Sequence, residues 1–180
     1  ASEFYLGDSL GQELPAFSSS GTVTITPEGG GGDPVVTQVV DIDAFQLNDI
    51  SFNVVADDMS TGAIFGQADL LIVSNDASGF YVPGFGVDAI TTVDAYEGYS
   101  AFANGANAQS ITVEGSAADL GPVTLDAFQV NSLAYLPQDC MSTDMVFSGY
   151  ENNLLVVQND AGGFYVPSFG VMTLAEMCPG

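Results

Sequence analysis

The thirteen residues NDASGFYVPGFGV (75 to 87) return 84 positions later as NDAGGFYVPSFGV (159 to 171), identical at eleven places. A chain that writes so long a segment twice is constrained to fold as two copies of one unit, and its neighbouring segments repeat in the same order. DAFQLNDISF (43 to 52) matches DAFQVNSLAY (126 to 135), DDMSTGAIF (57 to 65) matches DCMSTDMVF (139 to 147), and LLIVSND (70 to 76) matches LLVVQND (154 to 160), at offsets of 83, 82 and 84. Upstream, TITPEGGGGDPVVTQVVDIDAFQ (24 to 46) resembles SITVEGSAADLGPVTLDAFQ (110 to 129), which makes the glycine tract 29 to 32 a loop between strands. The expected division is an N-terminal strand segment, 1 to 29, module one, 30 to 115, and module two, 116 to 180, the last truncated relative to the first.

Within a module the local code is β. The runs ISFNVV, LAYL, LLIVSN, GFYVPGF, GYSAFAN and SITVEG are rich in β-branched and aromatic residues. Asn-Asp-Ala-Ser-Gly between two of them predicts a hairpin loop, with side-chain turns at Asn75 and Asp76 and a positive φ at Gly79. Pro83 and Pro167 end or edge their strands, because proline donates nothing to a ladder. Ser60 and Ser142 are good N-caps for one helical turn each, burying Ile64 and Phe65 or Val146 and Phe147. A second short turn is expected within VDAITTVDA and VMTLAEMCP. The fold class is therefore mainly β, two homologous sandwich-like or barrel-like modules with short helical turns.

Charge narrows the function. Lysine, arginine and histidine are absent, and 23 Asp and Glu give a formal net charge of −23. With 47% hydrophobic residues, among them 12 Phe and 7 Tyr, the chain is too apolar to be a solvated acidic tail. Nucleic acid is excluded as a direct partner, since phosphate binding rests on cations. Anionic membranes would repel the chain, and no run of 18 apolar residues spans a bilayer. The N-terminus ASEFYLGDS is no signal peptide and reads as a processed end. Trypsin-like proteases find no cleavage site, which suits an extracellular protein or a resistant fragment. Enzymatic turnover is not expected: no His or Lys is present as base or nucleophile, and most acids sit in turn contexts.

The order L-x-x-L-P-x-x-x-M-S, a short helix, then N-L-x-V-V-Q-N-D-x-G-G-F-Y-V-P-x-F-G-V-x-T-L-x-E-M-x-P-G resembles a tandem β-rich module of very large secreted or cell-surface bacterial proteins. The likeness spans roughly residues 43 to 180 in two copies. It implies a secreted, extracellular module at a cell surface and no catalytic activity.

Candidate sites follow from comparing the two copies. Cys140 stands where module one has Asp58, and Cys178 where it has Asp94. If these positions are neighbours, the cysteines form a disulfide that fits an oxidising compartment; two buried thiols are the other outcome. Asp58 and Asp94 would then face each other with no cation, a calcium or shared-proton pair, and Asp41 with Asp43 on an alternating strand is a second oxygen-rich pair. Against calcium stands a plain hydrated acidic surface, and no cofactor is certain. In Phe80-Tyr81 and Phe164-Tyr165 one ring of each pair must point away from the local core, a place for glycan stacking, unless both bury between sheets or modules. The expectation is an extracellular structural and adhesive repeat protein, self-associating or joined to adjacent modules; a calcium-dependent glycan-binding module is the alternative. Residues 3 to 29 hold spare strand-like segments, EFYLGDSL resembling EGYSAF and TITPEG resembling SITVEG. They are expected to complete module two, within one chain or between chains.

Overall fold

A computed structural model describes residues 34 to 179 apart from 124, 128 and 129; the expected N-terminal strand segment and the glycine tract lie outside the described residues. Both repeats belong to one compact unit, Gly32–Gly180.

Module one opens with β1 (Val36–Ile42), in which Gln38, Val40 and Ile42 are buried and the residues between them exposed. That strict alternation sets one face of the strand against a core. β2 (Leu47–Ser51) and β3 (Val54–Val55) follow, then the four-residue helix α1 (Thr61–Ile64) and β4 (Leu70–Ser74). β5 (Phe80–Val82), β6 (Val87–Asp88), β7 (Gly98–Ala103) and β8 (Gln109–Ala117) complete the module. They make two antiparallel sheets, β2-β7-β4-β5-β6 and β1-β8-β3. Val40, Ile42, Val54, Ile111 and Val113 of the smaller sheet share one core with Ile50, Leu70, Val73 and Tyr99 of the larger. The arrangement is sandwich-like, and no sheet closes into a barrel among the described residues. Gln38, buried in this core, replaces ladder bonds where the chain leaves β2: its Nε2 donates to the Ser51 carbonyl at 3.0 Å and its Oε1 accepts from the Asn53 N–H at 2.8 Å.

Helix α1 starts where the cap predicts, the Ser60 hydroxyl accepting from the Ala63 N–H, and Ile64 and Phe65 are buried. Phe65 stands among three rings, with centroids 5.9 Å from Phe52, 6.1 Å from Tyr81 and 5.5 Å from Tyr99.

Module two is β9 (Met141–Ser142), α2 (Thr143–Val146), β10 (Val157–Gln158), β11 (Phe164–Val166), β12 (Val171–Met172) and β13 (Glu176–Met177). β10-β11-β12 reproduces the β4-β5-β6 hairpins, and β9 pairs β13 as Ser60 bridges Thr92 in module one. Phe147 is buried and Val146 half-buried, and among the described residues the ring in contact with Phe147 is Tyr165, stacked at 6.2 Å.

Three local expectations are corrected. LAYL is not a strand: Leu133 alone bridges, to Glu97 of module one, because the chain from Ser132 to Gln138 bonds across the modules. Gly98 permits this crossing, since a Cβ there would stand 2.7 Å from the Ser132 carbonyl carbon. The left-handed residue of the hairpin loop is Ser78 (φ 66°), matched by Gly162 (φ 80°), and not Gly79. Gly79 is needed for space instead, as its N–H meets the Asn75 Oδ1 at 2.7 Å where a Cβ would collide. Finally, VDAITTVDA and VMTLAEMCP hold no second helical turn. Their β strands are followed by bends, and Thr91 takes φ 63° where the chain turns back to bridge Ser60.

Candidate interaction surface

The repeated hairpin is built to present side chains outward. In module one, Asn75 closes the loop on Gly79, its N–H donating to the Gly79 carbonyl at 3.1 Å and its Oδ1 accepting the Gly79 N–H at 2.7 Å; Asn159 and Gly163 repeat the two bonds at 3.0 and 2.7 Å. β5 and β11 then alternate, so that Tyr81 and Tyr165 turn inward onto Phe65 and Phe147 while Phe80 and Phe164 face out, 43% and 38% exposed. Pro83 and Pro167 end these strands by opening a single 3-10 turn, with Gly86 and Gly170 left-handed behind it. That turn lifts Phe85 and Phe169 almost wholly into solvent, at 82% and 78% exposure, beside exposed Val87 and Val171. Each module therefore displays the same three apolar side chains on one hairpin, in a stretch without a charged residue from 77 to 87 and from 161 to 171.

Asp76 does not make the expected local turn. Its Oδ2 accepts the N–H of Ser132 in module two at 3.0 Å, and the corresponding Asp160 Oδ2 accepts the N–H of Asp49 in module one at 3.2 Å. Asp49 and Ser132 hold matching places in the two repeats, so the contact is reciprocal: each hairpin loop caps the other module's second segment. Ala95, Ala118, Ala134 and Leu136 form a small apolar cluster in the same unit, and the Asn53 side chain donates to the Pro137 carbonyl at 2.8 Å. The sequence did carry a sign of this, an Asn-Asp pair kept in both loops when Asn alone closes the turn.

Cys140 and Cys178 form the expected disulfide, with sulfurs 2.04 Å and Cα atoms 4.2 Å apart. They lie one step beyond the bridged pair Met141 and Met177. Asp58 and Asp94 occupy the same cross-strand place in module one, beyond Met59 and Val93, where the Val93 N–H donates to the Met59 carbonyl at 2.7 Å. Each carboxylate is engaged in its own turn: Asp58 Oδ1 accepts the Ser60 N–H at 2.9 Å and Asp94 Oδ1 the Tyr96 N–H at 2.8 Å. The backbone and hydroxyl bonds from Ser60 hold the Asp58 carboxyl below the usual range. Asp41 and Asp43 are both exposed, yet β1 stops at Ile42, so Asp43 belongs to the following turn, where its Oδ2 accepts from Gln46 Nε2 at 2.9 Å. Among the described residues no group of three or more His, Cys, Asp or Glu is placed to hold a metal ion.

An open cleft lies between the module-one hairpin loop and the turn before β7, lined by Met59, Asn75, Gly79, Ile90, Asp94 and Glu97. At its rim the Asn75 Nδ2 donates to Glu97 Oε2 at 2.9 Å, and the buried Tyr99 hydroxyl accepts the Asp94 N–H at 2.7 Å. Burial, more than any neighbour, pushes the Tyr99 phenol well above its ordinary value. No helix among the described residues is long and apolar enough to cross a membrane, and the disulfide is compatible with an extracellular location. No family model, no curated protein and no solved structure matches this chain.

Proposed function

We propose that this chain is an extracellular structural and adhesive repeat protein, assembling with copies of itself or with adjacent modules and performing no turnover. The observation that carries this is the duplicated display of Phe80, Phe85 and Val87 and of Phe164, Phe169 and Val171 on the surface. Module-one and module-two cores differ in many residues, while these exposed positions are kept alike, and the fold does not require an aromatic ring in solvent at 85 or 169. Exposed apolar clusters on a β protein mark contact surfaces. Here they lie in stretches free of carboxylates, where two chains of the same sign repel least. Secretion agrees with the disulfide and with the resemblance to cell-surface modules.

The test is to replace both exposed rings, Phe85→Ser and Phe169→Ser, and follow size by light scattering at increasing salt. The native chain is expected to grow in size as its charge is screened, and the double variant to remain small while keeping the same circular dichroism. Equal growth of both proteins removes the hairpins from the assembly surface and defeats the reading.

A further inference from the structure

We infer that Asn104, at the turn from β7 to β8, is a site of self-modification. Its side-chain amide closes on the Gly105 nitrogen and is converted to aspartate and isoaspartate, which loosens the corner where the two sheets of module one are joined. The change requires no partner and is independent of assembly.

Asn-Gly occurs once in the chain, at 104 and 105. The reaction needs the following backbone nitrogen to reach the side-chain carbonyl carbon, and a residue without Cβ hinders that approach least. Asn104 is exposed, and the Gly105 N–H has no acceptor among the described residues, so no bond of that nitrogen has to break for it to move. The fold does not ask for glycine here. Gly105 has no positive φ, and a Cβ on it would make only ordinary contacts, 3.6 Å from Gln109 Nε2 and 3.9 Å from Asp69 Oδ2. At Asn131-Ser132, where the following side chain is also small, the nitrogen is held: the Ser132 N–H donates to Asp76 Oδ2 at 3.0 Å.

The chemistry consumes only solvent water. The Gly105 nitrogen forms a bond to Asn104 Cγ, the Cγ–Nδ2 bond breaks, and the proton lost from the glycine nitrogen leaves with the amine as ammonia. Water then opens the cyclic imide. Breakage at Cγ leaves aspartate, whereas breakage at the backbone carbonyl carbon leaves isoaspartate, in which the chain runs through the side-chain carbon and is longer by a methylene.

Either product acts on a corner gathered around Asp69. The Asn104 N–H donates to the Asp69 carbonyl at 2.8 Å and its Nδ2 to Asp69 Oδ1 at 3.1 Å. Gln109, at the start of β8, donates from Nε2 to the same carbonyl at 3.1 Å and accepts the Asp69 N–H at 2.6 Å. Because β7 lies in the larger sheet and β8 in the smaller, Asp69 ties both ends of the connection between them. Once the amide becomes a carboxylate, Asp69 loses a donor and faces a like charge, and the chain has no cation to offset it.

The experiment holds the full chain in mildly alkaline buffer and follows each asparagine by peptide mapping, with the synthetic peptide Phe-Ala-Asn-Gly-Ala-Asn, the sequence of residues 102 to 107, as the unrestrained comparator. Asn104 is expected to convert at a rate within about tenfold of the peptide's, ahead of every other asparagine and to both isomers, and Gly105→Ala should slow it by about tenfold with the same circular dichroism. As conversion proceeds, amide exchange at 69 and 104 should speed by about tenfold, with no change at 164 to 166 in module two. Asn104→Asp, which brings the charge without the longer backbone, should show part of that increase from the start. Conversion slower than this, equal conversion in the Gly105→Ala chain, or earlier conversion at another asparagine overturns the inference. Unchanged exchange at 69 and 104 in the converted chain overturns its effect on the corner.

Discussion

The duplication supplies its own comparison at the level of single residues. Thr61 and Thr143 are both buried at the start of their helices, and the Thr61 hydroxyl donates to Asp88 Oδ2. The residue matching Asp88 in module two is Met172, and the Thr143 Oγ1 accordingly has no hydrogen-bond partner among the described residues. A buried hydroxyl without a partner costs about 1–3 kcal/mol, whereas replacing it by a methyl of the same shape costs little. Thr143→Val is therefore expected to raise the urea midpoint by an amount equivalent to about 1 kcal/mol, and Thr61→Val to lower it by about as much. Equal effects of the two substitutions would refute the assignment. A second expectation concerns Tyr99, whose phenol is raised by burial from an ordinary value of 10.0. The folded state holds this proton more tightly than the unfolded state, so its contribution is complete below pH 10 and is lost as pH rises further. Tyr99→Phe should lower stability at pH 7 by about 1 kcal/mol, because the Asp94 N–H loses its acceptor, and should flatten the decline above pH 10. Urea midpoints at pH 7, 9 and 11 decide it; parallel declines in both proteins would place the alkaline transition at other tyrosines.

Elements that close on themselves were legible in the sequence, and those that depend on the other module were not. Cap, hairpin loop and proline stop follow from Ser60, Asn75 and Pro83, whose partners lie within a few residues. The segment LAYL has the composition of a strand, but composition says nothing of the partner that must pair with it, and here the bonds run to Glu97, Gly98 and Ser51. The repeated Asn-Asp pair marked Asp76 as more than a loop residue, but its partner, the Ser132 N–H, was hidden for the same reason. The disulfide was legible because the repeat aligned two cysteines on two aspartates, which required no knowledge of the fold beyond the equivalence of copies. That equivalence predicts a transfer. Asp58→Cys with Asp94→Cys should form a second disulfide in module one, spontaneously in air, since Met59 and Val93 are bonded across the strands beside them. Thiol titration of the unfolded variant should find no free cysteine, and the new cross-link should add about 3 kcal/mol, less the small cost of losing the Asp58 cap on Ser60. Two free thiols would mean that the two sites are not equivalent in geometry. Reduction of Cys140–Cys178 should loosen β9 and β13 first, because this two-stranded ladder contains two residue pairs and the disulfide lies next to it.

Across the whole molecule, a chain with 23 acids and no cation has no attractive charge pair between side chains at neutral pH, so every long-range electrostatic contribution opposes compaction. The contact between modules works against this field by local means: two carboxylates, Asp76 and Asp160, accept backbone N–H groups of the other module, and the Asn53 side chain donates to the Pro137 carbonyl. The arrangement carries a conflict. Asp160 must approach Asp49, whose own carboxylate accepts the Ser100 hydroxyl at 2.7 Å, so one bond is made beside a like charge; the matching contact, Asp76 with Ser132, has none. Salt screens such repulsion, shortening its range from about 30 Å at 0.01 M to about 3 Å at 1 M. Thermal stability is therefore expected to rise with sodium chloride across that range, without the fall that broken salt bridges produce in ordinary proteins. Asp160→Asn keeps an oxygen to accept the Asp49 N–H and removes the facing charge, so it should stabilise at low salt and converge on the native protein at high salt. Asp76→Asn weakens a charge-assisted bond that has no facing carboxylate on Ser132, and its benefit at low salt should be smaller. Melting curves of the three proteins at 0.01, 0.1 and 1 M salt separate these effects. A melting temperature that is flat or falls with salt would show that repulsion does not limit this fold, and indistinguishable asparagine variants would remove the asymmetry between the two halves of the contact.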